Sequence, residues 1–374
     1  MKTKGDQQLV RRINRSVLLR LVRAQPGLSR ARLAAESGLT KSTVGLLVRE
    51  LLDEGWLGEA GAPVTDGLGR PSTPLQINVG VRALIGVEIN IGIVRVVCVS
   101  LQGDVLHADA AQLHDHAPAA VCAQVARRVA AAHRALLASG LRLAGIGVGL
   151  PGTVHDATGV VRFAPNLGWR DVNLLPGLTE ALAAEGVPEV ALQLQNDADA
   201  AVLGEFEFAG GEGEDPLIFV SCDVGVGAGI VLNDRLFTGA QGMAGEIGHT
   251  VLQVDGPRCS CGRRGCAEAF ISSRALEQAG GDTRHAAGYL GVLLQNLWMT
   301  FEPRAIVVGG KSCETHPALL GGAIETVRRY AASAGLAPPE IRPPRHGAWT
   351  PAVGAAAMVL HEYLRPLGSG TKPG

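Results

Sequence analysis

Residues 82–101, RALIGVEINIGIVRVVCVSL, cluster and partly alternate Ile and Val on either side of Asn90-Ile91-Gly92, a pattern suited to two paired strands joined by a tight turn. Gly103-Asp104 makes the next turn, and an Ala-rich helix is predicted from about Ala119 to Ser139, with Pro118 tolerated at its start. Another strand ends at Gly147-Val148-Gly149-Leu150-Pro151-Gly152, and Val190 to Leu194 supplies one more before Gln195-Asn196-Asp197. The strand-turn-strand pattern returns at Leu217 to Val220 and Gly229 to Leu232. Two halves that each begin in this way predict a duplicated α/β body with a cleft between its lobes. Ala305-Ile306-Val307-Val308-Gly309-Gly310 is a further buried strand, and its glycines either admit a nucleotide or simply end the strand. Asp223 to Gly229 is equally open to both readings, and no Gly-Lys-Ser/Thr follows to make it a Walker loop.

The chain before this body has a different character. Ile13, Val17, Leu18, Leu21 and Val22 form one helical stripe, which Gln25-Pro26-Gly27 stops. A short second helix opens at Leu28-Ser29 and ends at Gly38. Thr40 caps a third, in which Val44, Leu47, Val48, Leu51 and Leu52 form the apolar face. Three helices with a tight turn at Gly38-Leu39 predict a helix-turn-helix, and two short strands around the loop Gly61 to Pro71 would complete a wing. Lys41, Ser42, Thr43 and Arg49 lie off the apolar stripe, where a recognition helix meets bases and phosphates. Arg70, between Gly69 and Pro71, is placed to enter a minor groove. Small three-helix units also serve as protein-interaction adaptors, which is the alternative for this module.

Charge divides along the same line. Residues 1–78 hold twelve Lys/Arg against seven Asp/Glu, a net of +5, and with the whole chain at -1 the remainder carries -6. A basic module on an acidic body suits a polyanionic partner. At 374 residues, a prior of about 150 per domain gives two or three domains. No leader-like apolar segment follows the basic start, and no apolar run reaches about 18 residues, so a cytoplasmic protein without membrane partners is expected.

Seven cysteines are too few and too uneven for a disulfide framework, and three of them stand at 259, 261 and 266. With His249 they form a His-x9-Cys-x-Cys-x4-Cys set, and three thiolates with one imidazole close a tetrahedral shell around a structural zinc, one per chain. Cys98, Cys122, Cys222 and Cys313 lie in apolar or mixed segments and need only packing.

Together these residues resemble the ROK family of repressors and sugar kinases. The most specific part is Gly245-Glu246-Ile247-Gly248-His249 followed by Cys259 to Glu268, which looks like the family's sugar and zinc signature. Asn14-Arg15 and Gly69-Arg70-Pro71 are similar to the winged helix-turn-helix of its repressor branch. The resemblance implies an N-terminal winged helix-turn-helix over 1–78 and a two-lobed, actin-like and hexokinase-like α/β fold. The first lobe would span 79–195, joined by a returning C-terminal helix at 353–365, and the second 196–350. It implies sugar contacts from Asn166, Asn196, Asp197, Glu246, His249 and Glu268, amides and carboxylates that suit vicinal hydroxyls. A sugar-responsive repressor of carbohydrate-utilisation genes follows, binding a double-stranded DNA operator as a homodimer or dimer of dimers, with a monosaccharide or sugar derivative as effector. The alternative is an ATP-dependent sugar kinase with a fused DNA-binding domain and Asp197 as the base. Where the kinases carry Asp-x-Gly-Gly-Thr this chain has Glu88-Ile89-Asn90-Ile91-Gly92, and Asp199 stands where they usually place Asn. On that departure, catalysis and ATP are not expected.

Overall fold

The computed structural model describes residues 7–61, 73–155, 158–209, 214–240 and 242–365. Helices Gln7–Ala24, Arg30–Ser37 and Lys41–Asp53 form the N-terminal unit. Thr40, the predicted cap, accepts a hydrogen bond from the Thr43 N–H, Ser29 accepts one from the Arg32 N–H at the start of the second helix, and Gly38 ends that helix at φ +70°. Strands Leu57–Glu59 and Leu75–Ile77 pair antiparallel, as the wing reading expects. The loop that carries Arg70 lies outside the described residues.

The first lobe is built on a five-stranded sheet in the spatial order Ala191–Asn196, Arg142–Leu150, Arg82–Asn90, Ile93–Ser100, Val105–Gln112. Its first three strands run parallel and the hairpin that opened the sequence reading supplies the antiparallel pair. Ala83, Ile85, Val87 and Ile89 pack under helix Pro118–Ala138, while Leu84 and Gly86 face the other way, toward helix Thr350–Leu364. Covered on both faces, this strand is apolar almost throughout. The second lobe has a four-stranded sheet in the order Val226–Val231, Leu217–Cys222, Ala305–Gly309, Glu340–Arg342, backed by helices Thr283–Phe301 and Pro317–Ala334. A three-stranded sheet of Thr153–His155, Val160–Ala164 and Trp169–Asn173 has no counterpart in the sequence reading. Its strands are short and mixed in polarity, so no periodicity announces them.

Between the two large sheets lie helix Asp197–Glu207 and the C-terminal helix Thr350–Leu364. Leu203 and Phe206 meet Phe219 and Val307 of the second lobe in one core together with Ala355 and Met358. The helices cross on small residues: a Cβ on Gly354 would overlap the Ala200 carbonyl, and one on Gly86 would overlap the Ala352 carbonyl. The C-terminal helix also carries the N-terminal unit, because Leu18, Val44, Leu51 and Leu75 belong to the same continuous core as Val353, Ala356 and Leu360.

A buried ionic cluster seals that junction. Glu207, the last residue of its helix, is bonded by Arg23 at 2.6 Å, by His361 Nδ1 at 2.7 Å and by Arg365. Burial alone would raise its carboxyl, but the hydrogen bond from His361 and the charges of His361, Arg365 and Arg23 outweigh it and hold the pKa at about 2. Arg20 and Arg365 reach Asp234 at 3.4 Å, and Trp56 packs on Tyr363 with ring centroids 4.5 Å apart and the rings tilted by 52°.

Three stability measurements test this architecture. Gly354→Ala should lose about 3 kcal/mol in urea unfolding, because neither backbone can recede. Gly288→Ala, at a helical position with nothing within 4 Å of the new Cβ, should gain up to about 1 kcal/mol. For Glu207 a lowered folded pKa means its contribution is complete above the ordinary value of 4.5 and disappears as pH falls toward about 2. The stability gap between wild type and Glu207→Gln should therefore be widest above pH 4.5 and narrow steadily toward pH 2.

Candidate functional site

Asn166, Asn196, Asp197, Glu246, His249 and Glu268 all line a single cavity of about 200 Å³ in the cleft between the lobes. Residues separated by 102 positions in sequence meet there, brought together from both lobes by the turns that end their strands. Asn166 sits in the 3₁₀ turn Pro165–Leu167, closed by Gly168 in the left-handed region. Asn196 ends a strand and caps the helix that begins at Asp197: its Oδ1 accepts from the Ala198 and Asp199 N–H groups and its Nδ2 donates to the Gly152 carbonyl at 3.0 Å. Its amide is thus largely engaged in holding the cleft wall, and only the remaining N–H is left for a ligand.

Asp197 is the first residue of that helix. Burial, joined by the charges of Glu88 and Asp223, raises its carboxyl to about 7 against the opposing Ala198 N–H. Glu88 and Asp223 are themselves pushed up by burial. Three carboxylates this close do not all ionise easily, and of the three Asp197 is raised to about 7, within reach of neutral pH.

The residues that replace the kinase phosphate pattern have their own bonding. Glu88 accepts from Asn90 Nδ2 at 3.0 Å and pairs with Arg95 at 2.7 Å, and Arg95 also lies 5.9 Å from the Trp349 ring centroid. Sequence reasoning did not single out Arg95, yet the signal was present: a hairpin that turns at Asn90 to Gly92 sets Glu88 directly opposite Arg95. Asp223 to Gly229 retains a tight turn, with the Asp223 N–H donating to the Gly225 carbonyl at 2.8 Å.

His249, Cys259, Cys261 and Cys266 bring one ligand atom each to within 4.8 Å of one another. Cys259 Sγ lies 3.7 Å from His249 Nδ1, and Cys261 Sγ lies 3.8 Å from Cys266 Sγ. A tetrahedral zinc with Zn–S of about 2.3 Å has edges of about 3.8 Å, so the donor set fits that ion. Gly265 turns the chain at φ +73°, where a Cβ would strike the Gln253 carbonyl. The other imidazole nitrogen, Nε2, faces Glu246 at 3.9 Å, toward the cleft. Ser260, between two of the cysteines and unremarked in the sequence, donates to Glu268 Oε1 at 2.7 Å, while Glu268 Oε2 accepts from the Val226 N–H at 3.3 Å. The metal knuckle and the carboxylate are therefore one piece.

Far from the cleft, Lys41, Ser42 and Arg49 are exposed on helix Lys41–Asp53 and Thr43 is partly buried. The hydroxyls of Ser42 and Thr43 each lie 2.9 Å from Thr40 Oγ1. Among the described residues no helix is long and apolar enough to cross a membrane.

Residues 84–288 match the ROK family. The chain is 27% identical over 384 residues to the xylose repressor of Bacillus subtilis, spanning 96% of this chain and 98% of that protein. It is 40% identical over 134 residues to the glucokinase of Thermotoga maritima, 36% of this chain and 40% of the relative. Among solved structures, a ROK family transcriptional regulator described as a homologue of the E. coli MLC protein shares the fold over 95% of this chain and 98% of its own, with a TM-score of 0.77 at 23% identity. A ROK family glucokinase from Streptomyces griseus, solved with glucose and AMPPNP, matches 74% of this chain and 98% of its own with a TM-score of 0.60 at 25% identity.

The glucokinases overturn the expectation that catalysis and ATP are absent. The Streptomyces griseus enzyme, whose structure matches 74% of this chain, was solved with AMPPNP, an ATP analogue. The departures at residues 88–92 and at Asp199 leave the tight turn at Asp223 to Gly225 and the raised carboxyl of Asp197 in place.

The knuckle yields a direct test. Metal analysis of the purified protein should return one zinc per chain, and Cys261→Ser should lower both the zinc content and the thermal midpoint.

Proposed function

The chain belongs to the ROK family, and from that premise we propose that it is a sugar-responsive transcriptional regulator, a repressor of carbohydrate-utilisation genes. Its N-terminal unit reads an operator on double-stranded DNA as a homodimer, and its cleft takes a monosaccharide or sugar derivative. Asn166, Asp197, Glu246, His249 and Glu268 supply the hydroxyl partners, and zinc on His249, Cys259, Cys261 and Cys266 fixes two of them in place. The xylose repressor that aligns over 96% of this chain supports the reading across both units.

The observation that carries it is the helix Asp197–Glu207. One end places Asp197 in the sugar cleft and the other places Glu207 against Arg23 of the first N-terminal helix. Eleven residues make a rod of roughly 16 Å, too short and too well packed to absorb a displacement at either end. A cavity of about 440 Å³ lies beside the Arg23–Glu207 contact, lined in part by Arg20, Leu21 and Asp234, and leaves room for the N-terminal helix to shift. Recognition helices of a dimer must meet grooves about one turn apart, so a small shift changes operator affinity. Sugar acts only through its different affinity for the two arrangements, and a coupling of about 1–3 kcal/mol changes operator affinity about 5- to 150-fold.

A panel of monosaccharides added to the protein on DNA from upstream of its own gene tests the proposal. One sugar should shift the binding curve, and Glu246→Ala should remove that shift while sugar-free DNA binding stays within about twofold of wild type. Failure of every sugar both to bind and to shift the curve would defeat it.

A second reading, phosphorylation of the bound sugar, is favoured by the carboxyl of Asp197 near 7, the range of an effective general base. Under it, Asp197 takes the proton of the attacking hydroxyl as the γ-phosphoryl group of ATP is transferred. Because the base works deprotonated, formation of sugar phosphate should rise as pH passes through about 7, and Asp197→Asn should abolish it. The two readings are compatible in one chain.

A further inference from the structure

On helix Lys41–Asp53, residues 42, 45, 46 and 49 fall at spacings of three and four and share one face, opposite the buried Val44, Leu47, Val48 and Leu51. That face holds two residues that folding does not explain. Gly45 sits in the helix interior, where glycine costs about 1 kcal/mol against alanine. A Cβ there would meet nothing within 4 Å, so no neighbour in the protein requires its absence. Leu46, beside it, is 52% exposed. Gly288 and Gly321 are equally open, so openness alone carries nothing. What distinguishes Gly45 is its place between an exposed leucine and the exposed Ser42 and Arg49, on a unit of net charge +5.

Acidic groups of the second and third helices are paired within the unit. Glu50 is bonded by Arg11 and lies 3.7 Å from Arg15, and Glu36 pairs with Arg32 at 3.3 Å. Asp53 is exposed at the far end of the helix, whereas the N-terminal part of a recognition helix enters the groove. A face with one arginine, a bare backbone and one apolar side chain, on a basic unit, fits the floor of a major groove, where thymine alone presents a methyl group.

We infer that Gly45 and Leu46 form the apolar reading edge of this helix: Gly45 lets the helix backbone approach the base-pair edges, and Leu46 packs on a thymine C5-methyl group, selecting T·A at one position of each half-site. The inference rests on the DNA-reading proposal above and adds the base and the residues that choose it.

The test uses the full-length protein and duplexes that it recovers from a random-sequence library. In a recovered duplex each dT is replaced singly by dU, which removes the methyl and leaves base pairing unchanged. At one thymine per half-site the wild type should lose affinity about fourfold, the equivalent of one buried methyl at about 0.8 kcal/mol. Leu46→Ala should bind the dT and dU duplexes equally. Gly45→Ala should raise the thermal midpoint yet weaken duplex binding at least about tenfold, about 1.4 kcal/mol. Equal affinity of the wild type for dT and dU at every thymine, a dT preference that persists in Leu46→Ala, or unimpaired binding by Gly45→Ala would each overturn the inference while DNA reading stands. Recovery of no duplex at all would overturn DNA reading and this inference with it.

Discussion

Helix Asp197–Glu207 and the C-terminal helix Thr350–Leu364 cross where neither has a side chain to spare, with the Gly354 backbone against the Ala200 carbonyl. Close approach of this kind leaves no layer of rotamers to absorb movement, so the pair behaves as one block. Both sheets rest on it: Gly86 of the first lobe approaches the Ala352 carbonyl, and Phe219 of the second packs in the core that holds Phe206 and Met358. The N-terminal unit rests on it too, through Val353, Ala356 and Leu360. A chain whose last helix returns to bind its first domain and both lobes makes every later part of the structure depend on that crossing.

The same block gives the buried Glu207 its setting. Taking a carboxylate out of water is costly unless opposite charges and donors meet it, and here His361, Arg365 and Arg23 do so from the C-terminal segment and the N-terminal unit. Removing one partner from such a cluster costs about 3–5 kcal/mol, so the contact is held firmly or broken as a whole. A firm contact at one end of a short rod and a ligand-facing carboxyl at its other end are the physical parts that the proposed sugar response needs. Asp197, at the cleft end of the same helix, is the group that the second reading, phosphoryl transfer, would use as its base.

Much of this was legible in the sequence because its signals are local. Ser29 and Thr40 cap the helices predicted for them, and the hairpin around Asn90 to Gly92 fixes the first two strands of the body. The cysteine spacing with His249 was readable because metal ligands must converge, and their atoms do. What stayed hidden depends on contacts distant in sequence. Nothing near Glu207 indicates that Arg23, 184 positions away, will reach it. The cap role of Asn196 was masked by its resemblance to a sugar ligand, and the three-stranded sheet by strands too short to show a period. The expectation that ATP is absent came from weighing the altered turn at Glu88 and the Asp199 replacement above the cleft groups that remain, a judgement that single-position reading cannot make well.

A closed binding cycle tests the central claim, that the cleft and the DNA reader share one equilibrium. Operator affinity is measured with and without saturating sugar, and sugar affinity with and without saturating operator, on the same full-length protein. Linkage requires the two ratios to be equal, and the account predicts a common factor of about 5 to 150. A sugar that binds in the cleft with the same affinity whether or not operator is present, and leaves operator affinity unchanged, would contradict it.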